Sequence, residues 1–187
     1  MPVIINGTSG DISASSLTGV DTGKILQVKN AIKTDTQSVT NDNNGNFTDV
    51  TGLSLSITPS SSSNKVLFRG YVAMSCVANS TLAIRIFRDS TEIGKSTADS
   101  TAANNSTATA KCLNVSTSTI TNAMYQLQFE VLDSPNTTSA TTYKVKFAET
   151  HLHNYVSVTA YINRPHTGMN ADNHGVISSI TAMEVTA

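Results

Sequence analysis

The sequence predicts an all-β chain, folded as an antiparallel β-sandwich of jelly-roll type behind an extended N-terminal arm. Three observations carry that expectation. Apolar residues recur at period two in short runs, which puts one face of each run on a core and the other in water. Clusters of Pro, Ser, Asn and Asp punctuate the runs, as tight turns require. Ser and Thr together exceed a quarter of the 187 residues, while charged residues are 13% and the net charge is −1. Polarity therefore comes from hydroxyls and amides, and threonine favours strands. Disordered chains usually combine high net charge with few apolar residues, and here 39% of residues are hydrophobic.

Residues 1–22 are small and polar, punctuated by Gly7, Gly10 and Gly19. They form the expected arm or tether, with Val3, Ile4 and Ile5 able to add to a sheet edge; a frayed terminus is the alternative. Residues 23–187 form the head domain. Its first strand is 23–29, with Leu26 and Val28 on one face, and the Asn-rich stretch 34–46 is a long loop or weak edge strand. Within 47–58, Leu53, Leu55 and Ile57 alternate with serines. Val66, Phe68, Val72 and Met74 repeat the pattern, as do Leu82, Ile84 and Ile86. Residues 83–93 read as a hairpin with its turn at Arg88, Asp89, Ser90 and Thr91. Residues 98–109 carry no large apolar side chain and form a loop.

Residues 110–115 are a strand. Residues 124–132 are a clearer one, alternating Tyr125, Leu127, Phe129 and Val131 with Gln126, Gln128 and Glu130. A turn at 133–136 leads to 142–149, where Tyr143, Val145 and Phe147 alternate with Lys144 and Lys146. Strand 155–163, loop 164–175 and strand 176–185 complete the chain. About nine strands and no helix result, and the long connections disfavour an up-and-down barrel.

Several function classes fall away. Scattered Lys and Arg with near-zero net charge do not make a nucleic-acid surface. No apolar run approaches the ~20 residues of a membrane-spanning helix, and residues 1–10 lack the basic start of a signal peptide. Cys76 and Cys112 lie outside any C-x-x-C motif and read as small, buried or half-buried thiols, a single bridge being the alternative. No G-x-S-x-G nucleophile motif, calcium loop or cofactor motif is present. Glu130, Asp133 and Glu149 are carboxylates within reach of a glycosidase role. Yet tryptophan is absent and aromatics are 5%, so a sugar-cleaving groove has little to stack on. No enzyme is expected.

The metal candidate is His151 with His153. On a strand, residues i and i+2 share a face, so both rings would address one ligand. Three such pairs about an axis would match an octahedral transition metal; two solvated histidines are the alternative. His166, His174 and Asp172 flank a Gly/Asn loop whose spacing does not converge on a site.

The strings GKILQV (23–28), GLSLSITPSSSSNKVLF (52–68), RIFRDST (85–91), LDSPNTTSATTYKV (132–145), YINR (161–164) and ISSITAMEV (177–185) occur in that order. In that combination the chain resembles virion proteins of tailed bacteriophages, many from phages of aquatic bacteria, of the tail-fibre or minor structural type. The apolar opening followed by INGTSG also resembles phage-fibre N-termini. The resemblance implies a β-sandwich head that forms a homotrimer within the virion. The expected role is then attachment to other virion proteins through the arm, and contact with a host-surface receptor or glycan through loops 98–109 and 164–175, because a stiff patterned scaffold carries these polar loops. A capsid decoration or tail-assembly protein is the other role left open, and assembly in the host cytoplasm is expected.

Overall fold

Period-two patterning folds into strands wherever an apolar face can be buried. The structure, a computed structural model, describes residues 24–41, 47–76, 81–96, 109–113, 124–149, 158–166 and 175–186. Among these are β1 (Ile25–Lys33), β2 (Gln37–Asn41), β3 (Thr48–Ile57), β4 (Lys65–Ser75), β5 (Thr81–Arg88), β6 (Thr91–Ile93), β7 (Ala110–Leu113), β8 (Tyr125–Asp133), β9 (Thr141–Glu149), β10 (Val158–Ile162) and β11 (Ser178–Val185). The expected arm at 1–22 lies outside the described residues.

The strands form two antiparallel sheets. Sheet one has six strands in the order β1-β11-β4-β10-β2, with β8 along the free side of β4; sheet two has five, β3-β9-β5-β6, with β7 also on β5. Among the described strands only β5 and β6 are sequence neighbours that pair, and their turn at Asp89 has a φ of 51°. From β2 to β10 most connections cross between the layers, as a sandwich requires and an up-and-down barrel forbids.

The core is built from the residues the alternation picks out. Leu53, Ile57, Val66, Phe68, Val72, Met74, Leu82, Ile84, Ile86, Tyr143, Val145 and Phe147 are all buried. Phe68 sits at the centre, with ring centroids 5.1 Å from Phe129 and 5.2 Å from Tyr143. Edge-tilted aromatic pairs at this range add to the burial itself.

Some elements depart from simple alternation. In β3 the buried residues Val50 and Leu53 lie three apart, because pairing with β9 slips between Asp49 and Ser54. Gly52 takes a φ of +87° inside that irregularity, a conformation that suits glycine. The start of β5 is buried on both faces, Thr81 and Ala83 as well as Leu82 and Ile84, so one face there does not meet water. β1 runs four residues past the expected end at Lys29, because all of Lys29–Lys33 continue the ladder to β11. The weak edge strand expected within 34–46 is β2, paired with β10.

Buried polar groups fasten the ends. Glu184, 1% exposed, accepts from Gln27 Nε2 (2.6 Å), Asn64 Nδ2 (2.6 Å) and both N and Oγ of Ser60 (2.7 Å each). Burial alone would raise this carboxyl, but the bonds from Gln27, Asn64 and Ser60 outweigh it and hold it down at about 2. The serine-rich turn between β3 and β4 is thereby clipped onto β11. Asp133, at the end of β8, accepts from Arg88 Nη1 (2.9 Å to each oxygen) and Tyr143 OH (2.6 Å). That cluster ties β8 of sheet one to β5 and β9 of sheet two. Burial, then the Asp133 hydrogen bond, hold the Tyr143 hydroxyl far above the usual phenol range. At the other end Asn163 (φ 61°) donates from Nδ2 to the carbonyls of Lys33 and Asp35, and Ser178 Oγ donates to its Oδ1 (2.6 Å).

Candidate interaction face

Residues facing each other in an antiparallel ladder lie on the same side of the sheet. Composing the registers of β1, β11, β4 and β8 therefore maps the outer side of sheet one. Its inner side is known from the buried Phe68, Leu127, Phe129, Ile180 and Ala182. One row across the outer side reads Val28, Met183, Leu67, Leu132. Every member is apolar. Val28 is 56% and Leu132 54% exposed, and Met183 and Leu67 are half-buried. Beside Val28, a slip in the β1 ladder leaves Ile25 and Leu26 exposed together, with Val185 opposite Ile25.

The next row is polar: Asn30, Thr181, Arg69, Glu130. Arg69 Nη1 lies 3.5 Å from Glu130 Oε2, both well exposed, and Asn30 Nδ2 donates to Thr181 Oγ1 at 3.0 Å. The row beyond holds Ile32, Ser179, Tyr71 and Gln128. Arg69, Tyr71, Gln126, Gln128, Glu130, Ser179 and Thr181 line an open groove of about 830 Å³. Its floor is Gly70, where an added Cβ would lie 2.4 Å from the Ser179 carbonyl oxygen and 2.9 Å from Ile180 Cα. The absent side chain lets β4 and β11 meet closely at that point.

Several expected site residues fall on this side. Leu26 and Val28, expected together on one face of the first strand, are both exposed, and the slip between Ile25 and Gln27 breaks the alternation at Leu26. Glu130 points outward, as its place in the alternation predicts. Asp133 is spent on the inter-sheet cluster. At the rim, Arg164 Cζ stands 4.5 Å over the Tyr161 ring, whose centroid is 5.5 Å from that of His166. Burial, then the Arg164 charge, hold His166 below the usual imidazole value. Together these three residues form the base of the predicted loop 164–175.

His151 and His153, His174 and Asp172, most of loop 98–109 and residues 167–174 lie outside the described residues, as does the side chain of Glu149. Among the described residues no three His, Cys, Asp or Glu side chains gather as a metal site. Cys76 is buried in the core, and the side chain of Cys112 lies outside the described set.

Sequence reading does not single out the apolar row, although a signal for it exists. Leu67 stands between Val66 and Phe68, Leu132 follows Val131, and Leu26 follows Ile25. Each doubling places an apolar side chain where strict alternation calls for a polar one. Only the ladder registers show that these separate lapses line up.

No family model matches the chain, and no curated protein matches it. Among solved structures, it is similar to infectious bursal disease virus, Gt strain: 15% identity, TM-score 0.48, all of this chain against 43% of that chain. It is likewise similar to the VP2 subviral particle of infectious bursal disease virus, with 14% identity, TM-score 0.47, and all of this chain against 43% of that one. The chain thus spans less than half the length of these neighbours.

Proposed function

We propose that this chain is a non-enzymatic structural protein of a bacteriophage virion, the head of a short fibre or appendage that meets the host surface. Residues 1–22 attach it to the particle. The ordered strings by which the chain resembles tailed-phage virion proteins support the virion setting. The observation that carries the contact role is the groove on the outer side of sheet one. Tyr71, Gln126 and Gln128 line it, and none of the three makes a side-chain hydrogen bond to another described residue. Amides and hydroxyls on a rigid sheet, with one internally neutralised ion pair, suit the hydroxyl groups of a host glycan. The carboxylates also fit a binding role better than catalysis: Asp133 is held by Arg88 and Tyr143, and Glu130 pairs with Arg69.

The test is adsorption. Purified protein should bind host cells and compete with phage attachment, and replacing Tyr71, Gln126 and Gln128 together by Ala should abolish both effects. Wild-type protein that binds no host cells at high concentration would remove the receptor role.

A second reading has its own observation. An apolar row suits a protein neighbour better than a sugar, which favours a capsid decoration or tail-assembly role. Electron microscopy of labelled particles separates the two. Density across the capsid lattice supports decoration, and density at appendage tips supports host contact.

A further inference from the structure

We infer that the groove on the outer side of sheet one selects neutral, hydroxyl-rich glycans over acidic ones, and that Glu130 is the residue that sets this choice. The inference rests on the contact role proposed above and names the class of ligand for the same groove.

Charge balance is the first argument. Among the described residues lining the groove, Arg69 and Glu130 carry the only charges, and the two are of opposite sign. They face each other across the β4-β8 ladder, with Arg69 Nη1 3.5 Å from Glu130 Oε2. A uronate, sialate or phosphate group on a sugar is an acceptor only and brings a negative charge. Such a group meets Glu130 as well as Arg69, so repulsion offsets attraction. A sugar hydroxyl is donor and acceptor at once and needs both kinds of partner.

The groove offers both kinds. The Arg88–Asp133 pair shows a closed contact in this fold, with 2.9 Å from one guanidinium nitrogen to each carboxylate oxygen. The Arg69–Glu130 pair, at 3.5 Å, is longer than an ordinary hydrogen bond, and both side chains are more than half exposed. Two neighbouring hydroxyls of one sugar can therefore enter there, one accepting from the guanidinium and the other donating to the carboxylate. Thr181 stands on the other side of Arg69, and Ser179, Tyr71 and Gln128 form the adjoining row. Asn30 Nδ2 donates to Thr181 Oγ1 at 3.0 Å and to Ser179 Oγ at 3.1 Å, so each hydroxyl keeps its own hydrogen for a ligand. Gln126 begins a third row, opposite Ala73. At about 3.4 Å per residue the three rows span roughly 14 Å along the strands, which suits several linked sugars better than one. A peptide strand fits less well. β11 and β4, at the centre of the groove, are paired on both sides, so no backbone edge is free there to receive it.

Binding of the full chain to an array of neutral oligosaccharides and of uronate-, sialate- and phosphate-bearing ones tests this, alongside adsorption to host cells. Wild type should bind neutral members only, with a signal that changes less than about twofold between about 0.05 and about 0.5 M salt. Glu130→Gln leaves the Arg69 charge uncancelled. It should bind acidic members at least about tenfold better than wild type, and high salt should remove that gain. Arg69→Gln should lose about tenfold on the neutral members and gain no acidic ones. Both positions are exposed and a surface ion pair adds little to stability, so each variant should keep a thermal midpoint close to that of wild type. Preference of the wild type for acidic members overturns the inference. So does an unchanged binding profile in Glu130→Gln, or Arg69→Gln binding neutral members as tightly as wild type. Host-cell binding with no glycan binding overturns it too, and assigns the contact to a protein receptor while the contact role stands. Absence of both kinds of binding removes the contact role itself.

Discussion

On the outer side of sheet two, Asp49 lies 3.1 Å from Lys144 Nζ and 3.4 Å from Lys146 Nζ, and Arg85 Nε lies 3.4 Å from Glu92. Arg85 also stacks on Phe47 at 4.1 Å, and Lys146 stands 5.2 Å from the Phe87 centroid. On the outer side of sheet one, the described residues make a single ion pair, Arg69 with Glu130, beside the apolar row. Among the described residues, surface ion pairs are thus denser on the outer side of sheet two than on that of sheet one. A sheet face laced with ion pairs is already satisfied in water. A face with one neutralised pair, free amides and a line of Val, Met and Leu is poised for a partner. That difference is what favours the outer side of sheet one for the contact role proposed above.

Four changes would break or sharpen that contrast. The largest effect is expected at Gly70. Alanine there forces its Cβ against the Ser179 carbonyl at 2.4 Å, so Gly70→Ala should lower stability by about 3 kcal/mol or prevent folding. Chemical denaturation would measure it. A small effect would mean that β4 and β11 separate easily and that the contact face is softer than its geometry implies. Arg88→Met comes next. It leaves Asp133 with the Tyr143 hydroxyl but no cation, in a partly buried place between the sheets. A loss of about 2–3 kcal/mol is expected, read by the same unfolding curves; no loss would show that the apolar core alone joins the two sheets.

Glu184 sets the pH behaviour of sheet one. Its folded value, about 2, lies below its ordinary 4.5. The carboxylate therefore contributes stability that is fully present above about pH 4.5 and is lost as pH falls toward 2. Glu184→Gln should cost roughly 2 kcal/mol at pH 7 and flatten the acid limb of the stability curve. An unchanged acid limb in that variant would assign the transition to another carboxylate. The smallest effect belongs to sheet two. Burial pushes Asp49 up, but the Lys144 hydrogen bond and the Lys146 and Lys144 charges pull it below its usual value. Because the Asp49 side chain is more than half exposed, Asp49→Asn should cost at most about 0.5 kcal/mol, shrinking further in high salt. A large loss would mean that the ion pairs of sheet two carry the fold and do not merely satisfy its surface.

Much of this architecture was legible from one-dimensional patterning. Leu82, Ile84 and Ile86, or Tyr143, Val145 and Phe147, alternate so regularly that burying them on one side leaves little choice but a strand. The turn at Asp89 and the edge strand β2 were legible for the same local reason. The slip around Gly52 was not, because a glycine in a strand has many uses and only its pairing with β9 shows which applies. The fastenings at Glu184 and Asp133 were also hidden. Gln27 and Glu184 are separated by almost the whole chain, and nothing local marks a carboxylate as buried rather than solvated. The contact face was legible only as small lapses at Leu26, Leu67 and Leu132.

Period-two burial is a local property, since neighbouring side chains point to opposite sides of a strand whatever the strand pairs with. For that reason the all-β class, most strand positions and the inward residues follow from the order of amino acids alone. Which strands lie side by side, and at what register, depends on contacts between residues far apart in sequence. The fold alone decides that Val28, Met183, Leu67 and Leu132 make one line, that Arg69 stands opposite Glu130, and that Asp133 reaches Tyr143 across the sandwich.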